Sequence, residues 1–345
     1  MFFLFSIDLL VTSLGHVGGD AVQEVLSVTA NPFVSLFIGL LITALIQSSS
    51  TTTSMIVAAV AAGSMEMHQA IPMIMGANIG TTITSNIVSL NYISDRQTFS
   101  RAFSSATLHD HFNIITTIIL FPLQYKYNLL GNISEKLSAL LASGSVIKSN
   151  VNQAAISLGD LISEWLIDLV HYPFIILIVS VVLLFTSIKL FTNIIYKVII
   201  GPPNNQLQRI VFKNPIKSFG WGAIITGALQ SSSVTTSFIV PLVATDKIRL
   251  NQIYPFIIGA NVGTTITALL AALFKSPEAV SIAMAHFMFN LLGGILLLLI
   301  PGLNRLPLLL TKLLGELTMR HRIISLIYLI ITFFLLPFAF IYFTK

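Results

Sequence analysis

Gln47-Ser48-Ser49-Ser50-Thr51-Thr52-Thr53-Ser54 returns 183 residues later as Gln230-Ser231-Ser232-Ser233-Val234-Thr235-Thr236-Ser237. Apolar stretches flank both runs, so each places amides and hydroxyls at a depth where a polar group without a partner is costly. Two such runs in one chain predict the two halves of one polar site for an ion and an anion.

The chain has 345 residues, 55% of them hydrophobic and 9% charged, with a mean hydropathy of +0.89. Soluble domains carry roughly a quarter charged residues, so the composition predicts an all-α polytopic membrane protein. The absence of Cys excludes disulfides, thiolate metal sites and a Cys nucleophile. A net charge of +5 is weak grounds for an acidic partner such as nucleic acid, because in a membrane protein the placement of charge matters more than its sum. Met1–Leu14 is short and apolar but lacks a basic start, carries Asp8 and has no small-x-small cleavage site, so a short membrane helix is expected there rather than a removed leader.

The duplication extends well beyond the polar runs. Aligning Asn31–Thr84 with Asn214–Thr267 needs no gap, and 28 of the 54 paired positions are identical. The matches include Asn31-Pro32, Gly39, Pro72, Gly76-Ala77-Asn78 and Thr81-Thr82-Ile83-Thr84. Further on, His109, Phe112 and Asn113 correspond to His286, Phe289 and Asn290. A duplicated membrane unit places its site where the two copies meet.

A ~30 Å hydrocarbon core needs about 20 apolar residues. Such segments lie near 71–91, 103–123, 171–196, 253–274, 279–301 and 323–343, with 1–14 as a short first crossing. The arms of the first polar run, Phe33–Ile46 and Met55–Ala62, are each too short to cross. The loops on both sides of the first run lack Lys and Arg, whereas 197–218 and 245–250 are basic on both sides of the second. Ends that look alike predict re-entrant hairpins, at 33–62 and 219–243, with the polar runs at their tips.

Three crossings between the hairpins then invert the second unit relative to the first. Repeat 1 covers 1–123, with an interrupted helix at 71–91 and a helix at 103–123. An extracytoplasmic linker with amphipathic segments covers 124–170. Repeat 2 covers 171–301, with a helix at 171–196, an interrupted helix at 253–274 and a helix at 279–301; an amphipathic segment and a membrane helix fill 302–345. In this topology the inside loops hold 12 of the 18 Lys and Arg residues, and the basic loops 197–217 and 302–322 are cytoplasmic.

A hairpin broken at its tip offers carbonyls from one arm and N–H groups from the other, which favour a cation and an anion respectively. Gly76-Ala77-Asn78-Ile79-Gly80-Thr81 and Gly259-Ala260-Asn261-Val262-Gly263-Thr264 predict a second kind of break, with a new half-helix starting at the Thr pair. No Lys or Arg is predicted at that depth; Lys189 snorkels to the interface. Neutral donors around an anion, hard oxygen ligands for a cation and no thiolate point to a cation-coupled oxyanion carrier. Asp110 lies inside a crossing and is a functional-site candidate by position, though its counterpart is Phe287. His109 with Asn113, and His286 with Asn290, share a helix face and read first as structural hydrogen-bond pairs. Gly39 and Gly222 read as packing positions, and Asn31-Pro32 and Asn214-Pro215 as helix starts.

Two Gln-Ser-Ser-Ser runs, each followed by Gly-Ala-Asn-x-Gly-Thr-Thr, resemble the type II sodium/phosphate cotransporter family in a short bacterial form, over roughly residues 3–301. The resemblance implies sodium-coupled uptake of inorganic phosphate by alternating access in the bacterial inner membrane. It implies that Gln47, Ser48, Ser49, Ser50, Gln230, Ser231, Ser232 and Ser233 surround phosphate. It further implies that Thr51, Thr52, Thr53, Asn78, Thr81, Thr82, Thr235, Thr236, Asn261, Thr264 and Thr265 help hold sodium.

The partners are then phosphate, sodium ions and the lipid bilayer, with no cofactor and no nucleic acid; oligomeric state stays open, a dimer included. The rivals are a carrier of another oxyanion or a dicarboxylate, a non-transporting regulatory partner, and an enzyme with a serine nucleophile. No Gly-x-Ser-x-Gly elbow occurs, which counts against the enzyme.

Overall fold

Asn-Pro starts both helices that lead into the polar runs. Asn31 caps Pro32–Ile46 by accepting from the Phe33 N–H, and Asn214 caps Pro215–Leu229 by accepting from the Lys217 N–H. Proline at the first helical position loses only an N–H that would have had no partner there. Both helices end alike: Gln47 (φ 58°) and Gln230 (φ 54°) take the left-handed conformation and close back on Thr43 and Thr226 through their backbone N–H. Ser48 and Ser231 then cap new helices, at Ser49–Ala61 and Ser232–Ala244, with side chains that accept from the N–H groups of Thr51 and Val234.

The computed structural model describes residues 2–16, 29–143, 153–170, 172–199, 211–273 and 275–344, and all its regular elements are helical. In chain order they are α1 (Phe2–His16), α2 (Pro32–Ile46), α3 (Ser49–Ala61), α4 (Met67–Gly80), α5 (Ile83–Ser89), α6 (Arg96–Tyr127), α7 (Leu129–Ser143) and α8 (Gln153–Val170). They continue as α9 (Pro173–Ile199), α10 (Pro215–Leu229), α11 (Ser232–Ala244), α12 (Leu250–Ala272), α13 (Pro277–Leu299), α14 (Leu306–Arg320), α15 (Ile323–Ile330) and α16 (Leu336–Phe343). A π-helical turn at Ile331–Leu335 joins the last two into one apolar rod.

Four stretches, Pro173–Ile194, Leu250–Ala272, Pro277–Leu299 and Ile323–Phe343, are long and apolar enough to cross a bilayer. This is a multi-pass membrane protein. With 32 residues α6 is longer than any of them, about 48 Å at the usual rise. Its middle carries buried Ser, Thr, His, Asp and Asn, so it is amphiphilic inside the protein rather than toward lipid. Asp95 caps its start, and hydrogen bonds from Thr98 hold the Asp95 carboxyl below its ordinary range.

Glycines bring α2 against α4 and α10 against α12 with backbones in contact. A Cβ on Gly39 would overlap the Met73 carbonyl, one on Gly76 the Leu36 carbonyl, and one on Gly222 the Phe256 carbonyl. Gly39 and Gly222 therefore serve packing, as their sequence positions suggested.

The same geometry corrects the interruption expected in 253–274. Helix α12 runs without a break from Leu250 to Ala272. Gly259 and Gly263 serve approach rather than bending: their Cα atoms face the carbonyls of Phe219 and Ala223. In the 71–91 segment the interruption is real but mild and sits later than Gly76–Asn78. Helix α4 ends at Gly80, Thr81 and Thr82 stay in the right-handed region, and α5 restarts at Ile83. Helix bounds also run past those read from sequence at 103–123, 171–196 and 219–243.

The linker segments form α7 and α8, with Glu164 and Asp168 on the exposed side of α8 and Ile167 packed against Leu9 and Ile176. The acidic loop holding Asp20 and Glu24, and residues 200–210 of the basic loop, lie outside the described residues. Lys189 sits 5.7 Å from the Phe185 ring centroid. Lys275 and Asp8 form a largely buried ion pair at 2.5 Å, which ties α1 to the segment before α13 and leaves neither charge alone in an apolar setting.

Candidate functional site

The two helix starts created by Ser48 and Ser231 come together. Ser50 Oγ donates to the Gln230 carbonyl at 2.5 Å. Thr81, at the α4–α5 break, donates from Oγ1 to Ser49 Oγ at 2.9 Å and shares a hydrogen bond with Ser233 Oγ at 3.1 Å; Ser233 also reaches the Thr81 carbonyl at 3.2 Å. Beside them Ser85 Oγ and Thr236 Oγ1 are 2.8 Å apart. Residues about 150 positions apart in sequence thus form one buried hydroxyl network, centred on Thr81.

Several threonine hydroxyls of the runs also turn back on their own helices. Thr52 and Thr235 donate to the carbonyls of Ser48 and Ser231, and Thr53 and Thr236 to those of Ser50 and Ser232. Their oxygen lone pairs stay available as acceptors. Helix geometry leaves the first backbone N–H groups of α3 and α11 without an intrahelical partner, so both helix starts offer donors to an anion. Among buried hydroxyls, those of Ser232, Thr264, Thr43, Thr226, Ser54, Ser237, Thr84 and Thr267 have no protein partner. Thr82 donates to the Ile79 carbonyl and Thr265 to the Val262 carbonyl. The two tips differ in one respect: Gln47 is exposed and Gln230 is buried.

His109 and Asn113 do share a face of α6, but they do not bond each other. Both hold Asn261 of α12: His109 Nε2 lies 2.7 Å from Asn261 Oδ1, and Asn261 Nδ2 donates to Asn113 Oδ1 at 2.8 Å. On the other side His286 Nε2 and Asn290 Nδ2 both sit 3.3 Å from Asn78 Oδ1, while Asn113 Nδ2 donates to the Asn78 carbonyl at 2.6 Å. All six side chains are essentially solvent-free. The carboxamide oxygens of Asn78 and Asn261 therefore already accept hydrogen bonds, which makes these residues clasps between helices.

Replacing Asn261 by Ala leaves the His109 ring and the Asn113 oxygen without their partner in a dry site. The expected cost is about 2–4 kcal/mol, read as a lower thermal midpoint of purified protein in detergent. A variant as stable as the parent would refute the clasp.

Asp110 is fully buried on α6. Asn86 Nδ2 donates to both its oxygens, at 3.0 and 2.8 Å, and Tyr328 OH donates to Oδ2 at 2.9 Å. Among the described residues no Lys, Arg or His forms an ion pair with it. The nearby Asn86 Oδ1 is buried and has no partner. The sequence pointed to Asp110, and the polar string after Thr82 could have pointed to Ser85 and Asn86. Nothing in the apolar C-terminal stretch marked Tyr328.

The family described as Na+/Pi-cotransporter matches residues 2–149 and 182–320 of this chain. This chain belongs to that family. It is accordingly a transporter-family membrane protein and not an enzyme. Sodium-dependent phosphate transport protein 2A of Rattus norvegicus is 31% identical over 415 residues, which cover 97% of this chain and 65% of the relative. Protein 2B of Homo sapiens is 30% identical over 433 residues (97% and 63%), and protein 2B of Bos taurus 32% over 436 (98% and 63%). The chain thus spans a little under two thirds of the length of these cotransporter relatives. No solved structure matches.

Proposed function

We propose that this protein couples inward movement of sodium to uptake of inorganic phosphate across a bacterial inner membrane. The observation that carries this reading is the joining of the two Gln-Ser-Ser-Ser runs through Thr81, in a setting rich in buried hydroxyls, with no Lys or Arg buried among the described residues. Gln47, Ser48–Ser50, Gln230 and Ser231–Ser233 surround the anion, aided by the starts of α3 and α11. A multiply charged oxyanion held by neutral donors needs its charge offset, and co-bound cations supply that.

The hydroxyls of Thr51–Thr53, Thr81, Thr82, Thr235, Thr236, Thr264 and Thr265 are the oxygen ligands for sodium in this proposal. Asn78 and Asn261 keep the surrounding helices in register. Asp110 supplies a negative charge; a buried carboxylate with no cationic side chain paired to it among the described residues, beside the unpartnered Asn86 Oδ1, suits a monovalent cation. Linkage makes the coupling mutual: whatever factor sodium adds to anion affinity, the anion adds to sodium affinity.

Access alternates as two inverted repeats, each with a re-entrant hairpin, exchange exposure. The difference between Gln47 and Gln230 in otherwise equivalent positions fits a form in which one tip faces its solution and the other is shut. The basic loops 197–217 and 302–322 face the cytoplasm.

The test is uptake of radiolabelled phosphate into proteoliposomes that contain only this protein, under an inward sodium gradient against an equal potassium gradient. Sodium-dependent accumulation is the expected result. Uptake that ignores sodium removes the coupling, and absence of phosphate uptake alongside sodium-driven uptake of sulfate or a dicarboxylate reassigns the anion.

A further inference from the structure

The rod formed by α15 and α16 begins after residue 320, where the match to the family ends. It is nevertheless seated on the site. At its start the Arg322 guanidinium donates to the Ser94 carbonyl at 2.9 Å; toward its far end Phe340 stacks on Phe37 with ring centroids 4.5 Å apart. Between these anchors Tyr328 sits edge-on to Phe103 at 5.9 Å and places its hydroxyl on Asp110 Oδ2. The π-helical turn lies between Tyr328 and Phe340 and adds about one residue to the rod, which shifts the register of the two ends.

Resting on the reading of Asp110 given above, we propose that Tyr328 is a positioning residue for cation binding: it fixes the Asp110 carboxylate and so makes the C-terminal rod part of the transport machinery. The physical argument starts from the partners of Asp110. A buried carboxylate with only neutral donors keeps its place and its charge through those donors. Asn86 bonds both oxygens from one side, and such a fork still lets the carboxyl tilt about the Cβ–Cγ bond. A second donor from a different element removes that freedom. Tyr328 is that donor, and the rod's two anchors hold it there. A cation arriving at Asp110 then meets a pre-set oxygen rather than one it must order.

The experiment is a double-mutant cycle on Tyr328→Phe and Asp110→Asn, read as the sodium concentration for half-maximal phosphate uptake and as stabilisation of the purified protein by sodium in a thermal melt. Tyr328→Phe keeps the ring against Phe103 and deletes only the hydroxyl. The expected result is a half-saturating sodium concentration about three- to tenfold higher than the parent, less than the full worth of a hydrogen bond to a carboxylate because Tyr328 acts on the cation only through Asp110, with sodium-induced stabilisation reduced in step. In the Asp110→Asn background the same change adds no further shift. A Tyr328→Phe protein with the parent's sodium dependence overturns the proposal, and so does a shift of equal size in both backgrounds, which would mean that Tyr328 acts elsewhere. If the parent is neither driven nor stabilised by sodium, the reading of Asp110 falls with it; sodium dependence in the parent with no effect of Tyr328→Phe sinks the present proposal alone.

Discussion

Gly76→Ala is expected to leave almost no folded protein. The added Cβ would fall on the Leu36 carbonyl, with the Leu36 carbonyl carbon 2.8 Å and the Leu40 nitrogen 2.9 Å away. These are backbone atoms of α2, so no rotamer change makes room; the two helices must separate. Separation pulls Asn78 from its clasp and moves Thr81 away from Ser49 and Ser233. Overpacking of well-filled interiors costs about 1–3 kcal/mol where side chains absorb it, and here they do not. Yield of monodisperse protein in detergent is the measurement. Gly15→Ala, at a site with open space around it, is the control expected to behave as the parent. Equal yields from both variants would mean that α2 and α4 are less tightly packed than described.

Thr81→Val is expected to abolish transport while sparing the fold. Valine keeps the volume and branching of threonine but cannot bond Ser49 Oγ or Ser233 Oγ. Two buried hydroxyls then lose a partner, at about 1 kcal/mol each or somewhat more. Within the proposed function the larger loss is at the anion site, because Thr81 is the side chain that fixes both runs relative to each other. Uptake in proteoliposomes should fall by about a hundredfold with the melting temperature within a few degrees of the parent. Thr264→Val, at the equivalent position where the hydroxyl has no protein partner, should be much milder toward stability. If Thr81→Val transports like the parent, Thr81 is not the centre of the site.

Much of the fold was legible because membranes constrain it. Apolar length, duplicated polar runs and Asn-Pro pairs located α2, α3, α10 and α11 to within a few residues. What failed was the inference from Gly-rich sequence to a broken helix at α12. Glycine lowers helix propensity, but Gly259 and Gly263 are needed where a backbone faces a backbone, and the ladder of hydrogen bonds survives them. Sequence alone does not distinguish a glycine that bends a helix from one that lets another helix in.

The polar residues followed the same division. Ser and Thr of the runs stood out because eight contiguous polar residues in the first run, and seven of eight in the second, have no ordinary explanation in an apolar chain. The partners of His109 and His286 were misjudged because the i, i+4 rule sees one helix. The structure partners one nitrogen of each ring across helices, Nε2 of His109 with Asn261 and Nε2 of His286 with Asn78, and leaves both Nδ1 atoms buried without a partner. Tyr328 could not have been picked out from its eight-residue apolar helix, since a tyrosine there has the look of any interfacial aromatic.

The glycine seams have a mechanical meaning as well. Helices spaced by side chains can slide, because rotamers give way one at a time. Between α2 and α4, and between α10 and α12, no such cushion exists. A shift of Gln47 is therefore a shift of the whole α2–α4 pair, Asn78 included, and what happens at a tip is felt without slack at a clasp. The compliant joints of the molecule are the polar ones, such as Ser85 against Thr236, where a hydrogen bond can be exchanged for another. In the exchange of access proposed above, the apolar contacts are the rigid levers and the hydroxyls are the bearings.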